Sequence, residues 1–344
     1  MSALRVAVVG AGVMGGDHAR LLAGAVHGAR LVGVADADPE RAASLAEAVS
    51  RPGEPVRSTE DAAALVAADD VDAVVVASPD ATHADLVLTA LAHRRPVLCE
   101  KPLAPTAAQC RALVEAEDAV VGDGPRLVSV GFMRRFDPGH TALRELVASG
   151  DLGAALMVRC TSRGTSSAPG STTASALSGS LVHELDAVPW LLGSPVVEVS
   201  WQAPRSTSRA HGLQDPQLAT LRTADGALAS CELFLNAGYG HDVRCEVVLE
   251  GGAAATAEPV PAVRDAAGAR TAAYGPDWRR RWAPAYRLEL QAWVDAVAEG
   301  RTPPLAGAAD GLAAAEVVEA LVAATAEEGR TVRVGRASRG EGAR

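Results

Sequence analysis

Isoleucine is absent from this 344-residue chain, and lysine and asparagine occur once each, as Lys101 and Asn236. All three residue types use A/T-rich codons. Their scarcity points to a G+C-rich genome that replaced them wherever replacement was tolerated, so the two survivors are informative. Lys101 is one of 32 Lys and Arg residues, and every other one is arginine. Arginine keeps its charge but cannot give up a proton, whereas a partly buried ammonium can be tuned to act as acid or base. Lys101 lies in Cys99-Glu100-Lys101-Pro102, directly after an apolar, strand-like run. A lysine that does chemistry is the expectation.

Other absences narrow the class. No apolar stretch approaches a membrane span; the longest run, around Val74-Val75-Val76-Ala77, is strand-sized. No basic segment followed by an apolar core opens the chain, so secretion is not expected and a cytoplasmic location is. The five cysteines are odd in number and lack Cys-x-x-Cys spacing, which reads as reduced thiols and neither a disulfide framework nor a metal site. A net charge of −10 without a basic stripe excludes a nucleic-acid partner and is mildly compatible with a cationic substrate. Length sets a prior of two domains.

What is present begins at once. Leu4 to Val9 form an apolar strand, followed by Gly10-Ala11-Gly12-Val13-Met14-Gly15 and a helical segment through Leu22. A lone Gly-x-Gly-x-x-Gly is weak, but this one has the strand before and the helix after that a dinucleotide turn requires. Its glycines let backbone N–H groups and the helix N-terminus approach a pyrophosphate. The second strand, Leu31 to Ala35, ends in Asp36, a carboxylate that accepts from ribose hydroxyls and repels a 2′-phosphate, so NAD is expected over NADP. Strands at Asp72–Ala77, Arg95–Cys99 and Leu127–Met133 alternate with helices, which predicts a doubly wound parallel sheet. Ligands of such sheets bind beyond the strand carboxyl ends, where Gly10, Asp36, Ser78, Glu100 and Lys101 fall.

The pattern changes after Gly131. A helix is predicted over 137–147, then strands at 155–161, 196–202, 217–223, 228–235 and 243–249, with a helix at about 181–192 and late helices at about 284–299 and 308–327. The predicted whole is an N-terminal Rossmann-type domain over 1–125 and a C-terminal α+β domain over 126–335 carrying a large, mainly antiparallel open sheet. Residues 162–180, rich in Ser, Thr, Gly and Ala, read either as a surface loop or as a substrate loop that leaves space.

Taken together, Gly10 to Gly15 with His18, Asp80-Ala81-Thr82-His83, Glu100-Lys101-Pro102, Gly131 to Asp137, His183-Glu184-Leu185-Asp186, Asn236 to Glu246, and Asp277-Trp278 through Tyr286 resemble the glucose–fructose oxidoreductase, inositol dehydrogenase and MocA family. The resemblance implies hydride transfer from a ring C–H of a polyol or sugar to NAD. Lys101 would hydrogen-bond the reacting hydroxyl and His183 would act as general base, imidazole titrating near neutrality. It also implies cofactor contacts from Gly10, Gly12, Val13, Met14, Gly15, Asp36, Ser78, Pro79, His83, Glu100 and Lys101. Substrate contacts are implied for Arg134, Ser162, Gly179, Asn236, Tyr239 and His241, although Asn236 reads equally as a turn residue. A homo-oligomer, a tetramer formed through the open sheet face, is a further implication.

The chain departs from the inositol dehydrogenases of that family. Where they carry an aspartate four residues before the base histidine, this chain has Gly179; Ser162 replaces a histidine, the position near Gly164 lacks an asparagine, and His241 replaces a tyrosine. A site that hydrogen-bonds many hydroxyls loses its ligand when those partners vanish. The leading expectation is therefore an amino sugar or aminocyclitol substrate of the kind oxidised in aminoglycoside pathways. An inositol 2-dehydrogenase with a rebuilt pocket is the second, and a non-catalytic NAD-bound sensor the third.

Overall fold

The computed structural model describes residues 3–257, 263–274 and 277–335. Its first elements are β1 (Leu4–Val9), α1 (Val13–Gly24), β2 (Ala29–Ala35), α2 (Pro39–Val49), β3 (Arg57–Thr59), α3 (Ala62–Ala67), β4 (Ala73–Val76), α4 (His83–Ala92), β5 (Val97–Glu100), α5 (Ala107–Val121) and β6 (Val128–Gly131). There follow α6 (Pro138–Ser149), β7 (Ala155–Arg163), α7 (Thr173–Ala176), α8 (Val182–Leu192), β8 (Val196–Gln202), β9 (Gln217–Thr223), β10 (Leu228–Phe234), β11 (Asp242–Leu249), β12 (Gly252–Ala255), β13 (Val263–Ala266) and β14 (Ala269–Ala272). The chain ends in α9 (Trp278–Ala298), β15 (Ala306–Gly307), α10 (Ala308–Ala324) and β16 (Thr331–Arg333).

Two compact units result. One comprises Met1–Met133 with Ala285–Ala315, the other Arg134–Pro284 with Glu316–Arg344. The single boundary expected at 125/126 differs from this in two ways. β6 pairs with β5 and so stays in the first unit. Segment 285–315 also returns there, because Leu290, Trp293 and Val294 of α9 bury themselves against Val6, Val8, Leu31 and Leu98.

The first unit is the doubly wound sheet, in the order β15-β6-β5-β4-β1-β2-β3. All its pairings are parallel except β15 with β6. Strands covered on both faces must be apolar throughout, and Ala73 to Val76 are all fully buried. Helix starts follow local capping chemistry: the Asp38 carboxylate accepts from Glu40 N–H and Arg41 N–H at the head of α2, with Pro39 at the first helical position.

The second unit is a sheet in the order β12-β11-β7-β10-β9-β8-β16. It is antiparallel except where β10 meets β7. Its inner face, with Val158, Cys160, Trp201, Leu221, Leu233 and Val247, packs on Leu181, Leu185 and Val188 and on Val317 and Leu321 of α10. All five cysteines are buried.

Three sequence expectations need correction here. Residues 162–180 are not loop throughout. Thr172 and Ser175 form a capping box that starts α7, and Leu177–Leu181 form a π-helical turn running into α8. The late helix begins at Trp278 and runs through Pro284, since its first turns are anchored by the Arg281–Asp137 pair and by Trp282, which is 1% exposed. β12, β13, β14 and β16 were not anticipated; Gly252-Ala253-Ala254-Ala255 carries no strand propensity and is extended because it pairs with β11.

Candidate active site

The glycine turn is built by exclusion. Gly10 has φ +96°, and a Cβ there would lie 2.4 Å from the Ala77 carbonyl oxygen. A Cβ on Gly15 would lie 1.7 Å from the Gly10 carbonyl oxygen. Only glycine lets β1, β4 and α1 close to this degree. Gly12 differs, having nothing within 4 Å of a Cβ position; it precedes α1 without any side-chain cap, and the first turn of α1 holds no acidic residue. Open space before uncapped helix N–H groups fits the pyrophosphate of a dinucleotide. Val13 is 56% exposed at the same mouth, and Met14 is half-buried.

Asp36 is oriented by this turn. Its Oδ2 accepts Ala11 N–H at 2.7 Å and its Oδ1 accepts Asp38 N–H at 2.9 Å, leaving further lone pairs for a diol. The Arg41 guanidinium stands 3.5 Å from Oδ1. Replacing Asp36 by Ala removes the repulsion of a 2′-phosphate and leaves Arg41 to attract it. The ratio of kcat/KM for NAD over NADP should fall at least about tenfold, an effect of about 1.4 kcal/mol; an unchanged ratio would show that Asp36 does not set coenzyme choice.

Beyond β4 and β5 the remaining coenzyme-side residues come together. Ser78 Oγ lies 2.7 Å from Thr82 Oγ1, with Pro79 exposed between them. His83, expected to touch the cofactor, instead uses both ring nitrogens on backbone carbonyls, Nδ1 at 2.8 Å from Pro102 and Nε2 at 2.9 Å from Ser78. Glu100 is buried against His18, Oε1 to Nε2 2.8 Å, and its Oε2 accepts Lys101 N–H at 3.2 Å. Lys101 is half-buried at this turn. His18 matched a family motif, but nothing in the sequence announced its carboxylate partner.

In the second unit, α8 presents His183, half-buried, one residue into the helix. The helix is fastened by two consecutive arginines. Arg134 pairs with Glu184, both buried, and Arg135 grips Asp186 with two hydrogen bonds of 3.0 and 2.5 Å. Arg134, a candidate substrate contact, is thus committed to an ion pair and lies 5.2 Å from the centroid of Trp282. Burial pushes the Glu184 carboxyl up, with Arg134 opposing. Gly179 falls in the π-helical turn with nothing within 4 Å of a Cβ, so the position offers space. Ser162 is buried on β7.

Asn236 is a tether. Its amide donates to Asp215 Oδ2 at 2.8 Å and its Oδ1 accepts Ser167 N–H at 3.0 Å. Tyr239 is 45% exposed, and its hydroxyl donates to Asp242 at 2.6 Å. His241 Nε2 accepts from Trp282 Nε1 at 3.3 Å. Asp137, which sequence reasoning missed, takes hydrogen bonds from Arg281 at 2.6 and 3.1 Å and from His140 Nδ1 at 2.7 Å, all behind Trp282.

Burial, then the charges of Arg134 and Arg281, push His241 down to about 4. An unfolded histidine titrates near 6.5. Between those values the unfolded chain takes up a proton that the folded one refuses. His241 therefore contributes stability that is complete above about pH 6.5 and lost as pH falls toward 4. Buried His140, also lowered, acts in the same sense. The Tm of His241→Tyr should decline less than wild type between pH 7 and 4.5; parallel declines would exclude this role.

The dinucleotide cradle of the first unit, with Asp36 and Lys101 at the ends of its strands, has the chemistry of an NAD-dependent oxidoreductase. Comparison with known proteins makes the class particular. Residues 4–121 match the oxidoreductase family with NAD-binding Rossmann fold, and residues 140–255 match the GFO/IDH/MocA C-terminal domain. Inositol 2-dehydrogenase 2 of Paenarthrobacter aurescens is 51% identical over 333 residues, covering 96% of this chain and 98% of that one. Inositol 2-dehydrogenase 4 of Saccharopolyspora erythraea is 44% identical, covering 95% of each chain. Among solved structures, myo-inositol dehydrogenase from Lactobacillus casei in complex with NAD(H) and myo-inositol matches with a TM-score of 0.91 at 30% identity, covering 98% of this chain and 99% of that one. The chain belongs to the GFO/IDH/MocA family, and its reaction is NAD-dependent oxidation at a CH–OH group. Among the described residues no helix is long and apolar enough to cross a membrane, and no group of three or more His, Cys, Asp and Glu residues is arranged to hold a metal.

Proposed function

We propose that the protein is an inositol 2-dehydrogenase, oxidising one secondary ring hydroxyl of myo- or scyllo-inositol to a ketone. The observation that carries this is 51% identity to an inositol 2-dehydrogenase across 96% of the chain. It favours the second of the sequence-based expectations over the amino-sugar reading, which rested on a few missing polar side chains. Relatives named for inositol at 42–45% identity point the same way.

When bound, NAD supplies the hydride acceptor. The chain's own part is the hydroxyl proton. The Lys101 ammonium would donate to the reacting oxygen and stabilise the negative charge that develops there as its proton leaves. His183 accepts the proton that leaves this oxygen, a step that neutral imidazole performs well near pH 7. Gly10, Gly12, Gly15 and Asp36 hold the coenzyme, while Gly179, Tyr239 and His241 border the substrate. Arg134 supports the substrate side indirectly, through Glu184 and Trp282.

The test is NADH formation with myo-inositol, scyllo-inositol, glucose and a panel of amino sugars under one condition. Highest kcat/KM with an inositol supports the reading. An amino-sugar winner would overturn it, and tight NAD binding without any turnover would favour a sensor. We also infer a homo-oligomer, a tetramer built on the outer sheet face, where Met157, Leu218 and Phe234 lie among the Arg159–Glu246 and Arg163–Glu232 pairs. Light scattering that gives the mass of one chain would refute it.

A further inference from the structure

The Glu100-Lys101-Pro102 turn is held from both ends by buried histidines on different helices. At one end, His18 of α1, 0% exposed, meets Glu100 Oε1 at 2.8 Å, while Glu100 Oε2 accepts Lys101 N–H at 3.2 Å. Gly131 backs this carboxylate so closely that a Cβ there would lie 3.2 Å from Glu100 Cδ. The ring of Tyr286 closes on His18 edge-on at 5.8 Å. Burial alone would raise the Glu100 carboxyl, but the His18 hydrogen bond and the charges of His18 and Lys101 outweigh it, and Glu100 is held below the usual range.

At the other end, His83 of α4, 1% exposed, lies between two carbonyl oxygens, those of Pro102 at 2.8 Å and Ser78 at 2.9 Å. Carbonyl oxygens only accept. A neutral imidazole has one N–H, so either tautomer would aim a nitrogen lone pair at an oxygen within hydrogen-bond distance. Whichever carbonyl takes the ring N–H, both turns are held to the one ring.

We propose that His18 and His83 are positioning residues for the lysine of the reaction, with the His83 ring holding the Ser78 turn against the Lys101 turn. Each histidine joins an element of the coenzyme cradle to this turn. α1 begins at the glycine loop, and Ser78 backs Gly10, whose Cβ would lie 2.6 Å from Ser78 N. The cradle and the lysine are in this way set by one framework. The proposal rests on the reading of Lys101 as the residue that handles the hydroxyl proton.

In kinetics, His83→Gln and His18→Leu should lower kcat at least about tenfold, with the Kd for NAD within about threefold. A folded His83→Gln with normal kcat overturns the holding role of that ring. His18→Gln, which keeps one donor for Glu100, should recover part of that loss. A folded His18→Leu with normal kcat would overturn its half of the proposal. The Lys101→Ala/His83→Gln double variant should be no slower than Lys101→Ala alone, and additive losses would show that His83 does not act through Lys101. Full activity in Lys101→Arg would instead remove the reading of Lys101, whereas full activity in the folded histidine variants beside an inactive Lys101→Arg would remove only the positioning roles, so the two failures are distinguishable.

Discussion

Lys101→Arg should lower kcat by at least about a hundredfold while NAD binds with nearly unchanged Kd, since losing acid–base assistance typically removes 10² to 10⁴ in rate. Charge is conserved, so a purely electrostatic role would survive. The planar guanidinium cannot present a single rotatable donor to one hydroxyl, nor share its proton. The turn around Lys101 tolerates little rearrangement, because Glu100 on one side and Pro102 on the other are tied to buried histidines. NAD affinity should persist because the glycine turn and Asp36 are built from other elements. Isothermal titration with NAD beside steady-state kinetics separates the two quantities. Near-normal turnover would mean that the single lysine survived by accident of codon usage.

The second large effect separates two kinds of glycine in one motif. Gly15→Ala places a Cβ 1.7 Å from the Gly10 carbonyl oxygen, so β1 and α1 must part. Overpacking of this kind typically destabilises by about 1–3 kcal/mol, and the displaced helix N-terminus no longer meets the pyrophosphate. Lower Tm and a Kd for NAD raised roughly a hundredfold, about 2.7 kcal/mol, are expected together. Gly12→Ala meets nothing within 4 Å. Its Tm should therefore match wild type, yet its Cβ enters the space through which backbone approaches the phosphates, and NAD binding should weaken at least about tenfold. Thermal melts of the apoproteins and NAD titrations decide this. Wild-type NAD binding in both variants would remove the glycine turn from the coenzyme site.

The coenzyme half was legible because its determinants are local. Gly10 to Gly15 directly follow β1, the preference for glycine follows from close backbone approach, and Asp36 stands at the end of the next strand. The second sheet was legible to within a residue or two wherever apolar and polar residues alternate, as in β8 and β9. Elements with other origins were not. Alanine-rich β12 is a strand only because β11 lies beside it, and α9 passes through Pro284 because Trp282 and Arg281 hold its first turns. The substrate shows the same limit. Loss of an aspartate at Gly179 and a histidine at Ser162 suggested an amino sugar, whereas similarity over nearly the whole chain favours inositol.

By itself, then, the sequence determined the fold class, the coenzyme and the singular lysine, because strand period, turn stereochemistry and a lone surviving residue type are properties of neighbouring positions. Only the tertiary structure decided what the buried polar side chains do. Asn236 became a tether when Asp215, 21 positions away, reached its amide. Arg134 became half of an ion pair with Glu184, 50 positions away. His83 turned from a cofactor contact into a bridge between two carbonyl oxygens. A buried polar group must find a partner wherever the packed elements offer one, and that pairing is set by packing across the fold, not by spacing along the chain.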